Sequence, residues 1–332
     1  MYIDIIDLLN FAVKKNASQV LLSPDSSPML RIDGKLKKIK MPVLSYRDVH
    51  EILYDFLGEY RIEITRESLF TEVSYDIPGI GRFLCSAFRS HDDSDTKFVS
   101  GIFTHIKEDY KLSFNALNYP PVFKKIAEQQ QGLILVTGST KLRMDKSQII
   151  AALINHRNNT FSNNIMTVEN PILQVHESKK SLIQQQEFNR DIFNYYHSMS
   201  NVRFSSPDVF MIDQFDNLNS LEKKEFLLLA SSGLLAITAL PSTSVIDTLN
   251  YIDHCFPESD KSFINELLSE SLRAIIHIDA FITKENIKQI SWEIMVNTKQ
   301  ISPLIRDGDY AAIFDIMYNN KQDIVTIEHS LE

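Results

Sequence analysis

The chain has 332 residues, 44% hydrophobic and 23% charged, long enough for the cores of two globular domains and too apolar for a disordered polymer. A formal net charge of −9 argues against a polyanion-binding surface over most of the molecule, so nucleic acid is not an expected partner. Asp4 and Asp7 stand where a secretory leader would be basic, and the longest apolar region, Phe226 to Leu240, is broken by Ser231, Ser232 and Gly233, short of the roughly 20 residues that cross a bilayer. Cys85 and Cys255 lie far apart without ligand spacing, which predicts neither disulfide nor metal site and suits a reducing cytoplasm.

In chain order, Asp4 to Lys15 places Ile5, Leu8, Leu9 and Ala12 on one helical face, and a short strand follows at Gln19 to Ser23. Met29 to Ile39 alternates around Asp33-Gly34, a hairpin signal. Val49 to Leu57 reads as an amphipathic helix, and Thr71 to Pro78 and Gly81 to Phe88 as strands around a Pro-Gly turn. A linker is expected at 107–118, dividing a domain at 1–110 from one at 111–332. From Val122 the pattern is helix 122–130, strand 133–137, helix 147–157, strand 165–168, helix 191–200, strand 208–212, helix 221–232 and strand 234–239. Short apolar strands alternating with helices imply a largely parallel sheet covered on both faces. Beyond 245 the chain reads as helical with one strand pair near 278–296. His91 and His105 read as solvated loop or edge residues, Trp292 as packing beneath the last helices, and Lys179-Lys180 and Lys223-Lys224 as solvated faces.

The segment Leu133-Ile-Leu-Val-Thr-Gly-Ser-Thr-Lys-Leu-Arg-Met-Asp-Lys-Ser-Gln148 carries the most chemistry. A phosphate-binding loop runs strand, G-x-x-x-x-G-K-[ST], helix. Here Gly138, Ser139, Thr140, Lys146 and Ser147 supply its ends, but glycine and lysine are eight positions apart where the motif has six. The second glycine is Asp145, and Lys141, Leu142, Arg143 and Met144 fill the interior. None of these side chains allows the backbone approach that glycine gives, and an aspartate opposes the anion-binding field of a helix N-terminus.

The ordered set Ala17-Ser-Gln-Val-Leu-Leu-Ser, Gly132-Leu-Ile-Leu-Val-Thr-Gly138, Thr167-Val-Glu-Asn-Pro through His176-Glu-Ser-Lys-Lys180, Pro207-Asp-Val-Phe-Met-Ile-Asp213 and Leu304-Ile-Arg-Asp307 resembles the type IV pilus retraction motors, the twitching-motility ATPases of the PilT kind. The resemblance covers nearly the whole chain. It implies an α/β fold: an N-terminal PAS-like α+β domain, then a RecA-like P-loop NTPase core with a helical C-terminal part. It also implies ATP and Mg²⁺ as cofactors, with Lys146 on the phosphates, Ser147 on Mg²⁺ and Glu169 in the acidic box. Five stations depart from the family pattern. The phosphate loop is lengthened. In the acidic box Glu169 matches, but Asn170 replaces an aspartate and Leu173 a glutamate. On the strand before the catalytic acid, Asp213 replaces glycine and Gln214 the glutamate, and an amide is no base. In the histidine box Leu234 and Pro241 replace both histidines. The family's nucleotide-facing arginines fall near Asp93, Thr104, Ser200 and Phe204. Apart from these five, Ser302 replaces an arginine at the C-terminal motif, which the resemblance links to retraction rather than to nucleotide.

The leading reading is a degenerate motor relative, a pseudo-ATPase scaffold or co-assembling subunit in which nucleotide affinity is weak or lost. The alternative is an active retraction motor whose Lys141, Arg143 and Lys146 neutralise the phosphates together. A third is an accessory subunit powered by an intact partner in a mixed ring. Expected partners are further copies in a hexameric ring or related motor subunits, and a pilus platform protein of the inner membrane. The expected location is cytoplasmic, peripheral at that membrane.

Overall fold

The computed structural model describes residues 4–32, 34–58, 70–91, 97–106, 114, 119–188, 190–282, 288–319 and 325–327. The chain divides into two compact units, Met1–Tyr110 and Lys111–Glu332; most of the expected linker lies outside the described residues.

In the first unit, helix α1 (Ile5–Lys14) starts where the Asp4 carboxylate accepts the Ile6 amide and buries Leu8, Leu9 and Ala12. Strands β1 (Gln19–Leu22), β2 (Met29–Ile32) and β3 (Lys35–Lys38) follow. The β2–β3 hairpin pairs Ile32 with Lys35 and turns through Gly34 at φ +75°, a conformation glycine adopts without strain. Helix α2 (Tyr46–Leu57) begins earlier than its apolar periodicity suggests because Ser45 and Asp48 form a capping box, satisfying amides that would otherwise be orphaned. Strands β4 (Phe70–Ile77), β5 (Gly81–His91) and β6 (Lys97–Ile106) complete an antiparallel sheet of order β3-β2-β1-β6-β5-β4. β6, which the sequence reading left without a strand, is interior, and its His105 stacks on Phe83 with centroids 5.0 Å apart. His105 is therefore a half-buried packing residue, not a solvated edge one. The His91 side chain lies outside the described residues.

In the second unit, helix α3 (Val122–Ala127) leads into β7 (Gly132–Gly138), buried at every position. Then come α4 (Arg143–Thr160), β8 (Asn164–Glu169), β9 (Leu182–Glu187), α5 (Tyr195–Ser205), β10 (Val209–Ile212), α6 (Ser220–Ser231) and β11 (Leu235–Pro241). Helices α7 (Val245–His254) and α8 (Glu258–Ser271), strands β12 (Leu272–Ile282) and β13 (Lys288–Val296), helices α9 (Ile301–Asp307) and α10 (Tyr310–Asn319) and strand β14 (Val325–Ile327) follow. The sheet order is β14-β13-β12-β7-β11-β10-β8-β9. All pairs from β12 to β9 are parallel, and β13 and β14 extend the sheet antiparallel.

Alternate residues of the central strand point to opposite layers. Leu133 and Leu135 join the core under α5 to α10, and Ile134 and Val136 join the core under α3 and α4. Trp292 sits on β13 in the second of these, edge-on to Tyr119 and Phe123 with centroids 5.1 Å apart. It thus packs on the α3 layer, and the expectation that it lies beneath the last helices is corrected. Helix α5 starts at Tyr195 because Asn194 caps the amides of Tyr196 and His197; the periodicity alone set it near 191. Arg157, at 0% exposure, donates to the carbonyls of Ala127 (2.7 Å) and Gln129 (2.6 Å) and to Asn163 Oδ1 (2.8 Å), tying the end of α3 to α4.

Candidate functional site

The candidate phosphate loop lies where β7 ends. Gly138 has φ +154° and a Cβ there would come within 2.6 Å of the Ile278 carbonyl oxygen, so close packing against β12 already requires this glycine. Ser139 follows, and Thr140–Leu142 form one turn of 3₁₀ helix. The Leu142 amide donates to Ser139 O at 3.0 Å and the Arg143 amide to Thr140 O, closing the turn on itself. Helix α4 begins at Arg143, well before the expected start at 147. The two additional residues are wound into this turn and the first turn of α4. They form no outward bulge, the condition under which Lys146 and Ser147 would meet phosphate and Mg²⁺.

Lys146 is buried at 6% exposure. Its Nζ donates to the carbonyls of Gly138 (3.2 Å) and Leu240 (3.3 Å), at the C-terminal ends of β7 and β11. Burial lowers its pKa and Arg143 lowers it further, against an opposing pull from Asp216. Ser147 shares with Glu169, Leu173, His176 and Asp213 a cavity of about 20 Å³. That space suits one water and is too small for Mg²⁺ with the several waters it keeps.

Glu169 ends β8 and is buried, accepting from Thr167 Oγ1 (2.7 Å) and Gln185 Nε2 (2.8 Å). The next peptide is the centre of a clamp the sequence reading did not anticipate. The Asn170 carbonyl accepts from Arg143 Nη2 at 2.5 Å and Gln214 Nε2 at 3.3 Å, and its amide donates to Asp213 Oδ2 at 3.0 Å. Asp213 thus holds the backbone that follows β8. Burial pushes its carboxyl up to about 6, against the Asn170 amide and the Arg143 charge. Gln214 is held at its other end too, Oε1 accepting from Asn217 at 2.9 Å. The signal for the clamp was present in the sequence as Asp for Gly at 213 and a surplus arginine at 143. A second buried network, also missed, joins Thr137 Oγ1 to His277 Nδ1 (3.0 Å) and to Thr248 Oγ1 (3.2 Å), and Ser242 Oγ to Thr248 Oγ1 (2.8 Å). His277 comes from β12, distant in sequence from the histidine box, and burial lowers its pKa.

A triphosphate site needs backbone amides turned toward the ligand and a lysine able to reach it. The residues present do not fit one in this arrangement: the Leu142 and Arg143 amides close a turn, Lys146 is held by carbonyls, and Arg143 is turned to Asn170. Among the described residues no group of three or more His, Cys, Asp or Glu side chains could hold a metal ion. What the arrangement can do chemically is lock the C-terminal ends of β7, β8, β10 and β11 to one another.

No protein-family model matches the chain. It is 32% identical over 311 residues to the type IV pilus retraction ATPase PilT of Pseudomonas aeruginosa, covering 94% of this chain and 88% of that protein. A twitching motility protein of Neisseria gonorrhoeae is 29% identical, over 92% of this chain and 80% of its own length. Among solved structures, the pilus retraction motor PilT with bound ADP superposes with a TM-score of 0.83 at 26% identity, covering 98% of this chain and 95% of that one. The ATPase DotB of Legionella pneumophila shares the fold at a TM-score of 0.76 and 18% identity, over 96% of this chain and 88% of its own. The parallel sheet with its covering helices is accordingly the RecA-like core of these motors, and the chain belongs to the type IV pilus retraction ATPase family.

Proposed function

We propose that this chain is a retraction-motor relative that does not turn over ATP and acts as a scaffold or co-assembling subunit of the pilus machinery. The observation that carries this reading is Lys146, whose ammonium is held by the Gly138 and Leu240 carbonyls beneath a loop closed by its own 3₁₀ turn. Glu169 and Gln214, the remnants of the acidic box and the catalytic acid, are likewise engaged within the protein. Phosphoryl transfer needs preorganised cations and a water-orienting acid at one point, and here each of those groups is bonded to a different part of the protein. In this reading the first unit is the PAS-like domain, and the chain joins a hexameric ring with its own copies or with related motor subunits. It sits on the cytoplasmic side of the inner membrane against a platform protein. Among the described residues no helix is long and apolar enough to cross a membrane.

The test is calorimetry of the full chain with ATP and a non-hydrolysable analogue, alongside phosphate release. The expected result is no binding heat at millimolar nucleotide and no release above background. Turnover stimulated by Mg²⁺ and abolished by Lys146→Ala would instead establish the active-motor alternative.

A further inference from the structure

The first unit carries two exposed surfaces of opposite charge, remote in sequence from the phosphate loop and the clamp. One is a groove of about 470 Å³ between the start of α1, helix α2 and the end of β4. Its floor is apolar: Ile52 and Ile77 are buried, Phe56 is half-buried and Ile6 is 39% exposed. Its rim is acidic. Asp4 and Asp48 cap α1 and α2, Asp76 answers the buried Arg82, and Glu51 pairs with the exposed Arg47. With Asp55, five carboxylates line the groove against these two guanidiniums, and an exposed pair such as Glu51 with Arg47 holds weakly.

The other surface is the outer face of the β2–β3 hairpin. Arg31 lies opposite Leu36 and Met29 opposite Lys38, on the side turned away from Leu30 and the helix-covered core. Leu36 is 49% exposed, and Lys35, Lys37 and Lys38 around it are all exposed. Strands β3 and β4 are the two edges of the six-stranded sheet. A basic face with an apolar centre and an acidic groove with an apolar floor therefore stand at its opposite ends.

Lysines on an edge strand deter pairing with another edge. That role does not account for Leu36, an apolar side chain left half exposed among them. Two such hairpins, or two such grooves, would set like charges against each other. Hairpin to groove matches both charge and apolar surface, and because the two lie at opposite edges each copy can use both at once. A contact of this kind is heterologous, the class that builds rings when its rotation closes.

We propose that a second copy of this chain seats the outer face of its β2–β3 hairpin in this groove, with Leu36 on the apolar floor and the surrounding lysines toward Glu51 and Asp55. The contact rests on the reading of the chain as a ring-capable subunit, and names a surface through which like copies join.

The experiment is sedimentation velocity of the full-length chain over a range of concentrations. The parent is expected to self-associate, and less so with added salt. A hairpin variant, Lys35→Glu with Lys38→Glu, and a groove variant, Glu51→Lys with Asp55→Lys, should each weaken association about tenfold, each exposed pair contributing about threefold. Leu36→Ser should weaken it by a similar factor at unchanged charge. The chain carrying all four charge reversals keeps the net charge of the parent and should associate like it, and an equal mixture of the two variants should associate where neither does alone. Circular dichroism checks that each variant is folded. Particles that form regardless of either variant would overturn the contact and leave the ring reading standing. A monomeric parent would overturn the contact too, and would leave that reading only assembly with related subunits. Variants that each weaken association without mutual rescue would assign the two surfaces to separate partners and overturn the proposal.

Discussion

Lys146 and Asp213 show how a single residue type changes meaning with its surroundings. An ammonium that donates to two carbonyls is a structural staple, so truncation and apolar replacement should differ. Lys146→Ala leaves buried carbonyls unpaired and should cost about 2 kcal/mol, whereas Lys146→Met fills the space without a charge to desolvate and should stay within about 1 kcal/mol of the parent, both read by urea unfolding. Asp213 and His176 make opposed contributions to acid stability. Asp213 is raised to about 6 by burial, so the folded state binds the extra proton and stability falls as pH rises from about 4 to 6. His176 is lowered to about 4, by burial first and by Lys179 second, so the unfolded state binds the extra proton and stability rises as pH climbs from about 4 to 6.5. Each is on the order of 3 kcal/mol, and together they leave a shallow profile. Unfolding at pH 4.5 and 7 should show Asp213→Asn gaining stability at the higher pH and His176→Phe gaining it at the lower. The misplaced lysine was legible from its spacing to Gly138. Its distant acceptor was not, because Leu240 reaches the loop only through strand order.

At the level of elements, apolar content decided what could be read. β7, β8, β10 and β11 announce themselves as buried apolar runs. β9, with Gln184, Gln185 and Gln186, carries no such signal, and its partner β8 defines it. The start of α4 misled for a different reason. Lys141, Leu142, Arg143 and Met144 are all good helix formers, so a segment expected to be loop coils as soon as Gly138 lets go of the sheet. A direct prediction follows: replacing residues 139–145 with a five-residue segment ending in glycine restores the six-position spacing. It should unwind the first turn of α4, release Lys146 from Gly138 O, and raise nucleotide affinity from undetectable to measurable by calorimetry. Unchanged null binding would place the defect at Asp213 and Gln214 instead.

Across the whole molecule, the order of motifs carried the family, since a strand-helix alternation of this length has few homes. Activity was less legible, because it rests on distances between stations far apart in sequence. If the nucleotide has no hold on this chain, assembly should be indifferent to it. Light scattering after size exclusion is expected to give the same particle mass with ATP, with ADP and with neither; a mass that shifts with nucleotide would contradict the scaffold reading.

The winding of residues 140–146 into a 3₁₀ turn and the start of α4 also limits what substitution alone can change. Asn170, Asp213, Gln214, Leu234 and Pro241 differ from the family pattern by identity alone, and each could be reversed by replacing one amino acid. The loop differs by length, and no exchange of side chains shortens a backbone. With Lys146 held between the carbonyls of β7 and β11, the proposed reading therefore implies that a six-position spacing takes a deletion within 139–145, and no set of side-chain replacements alone supplies it.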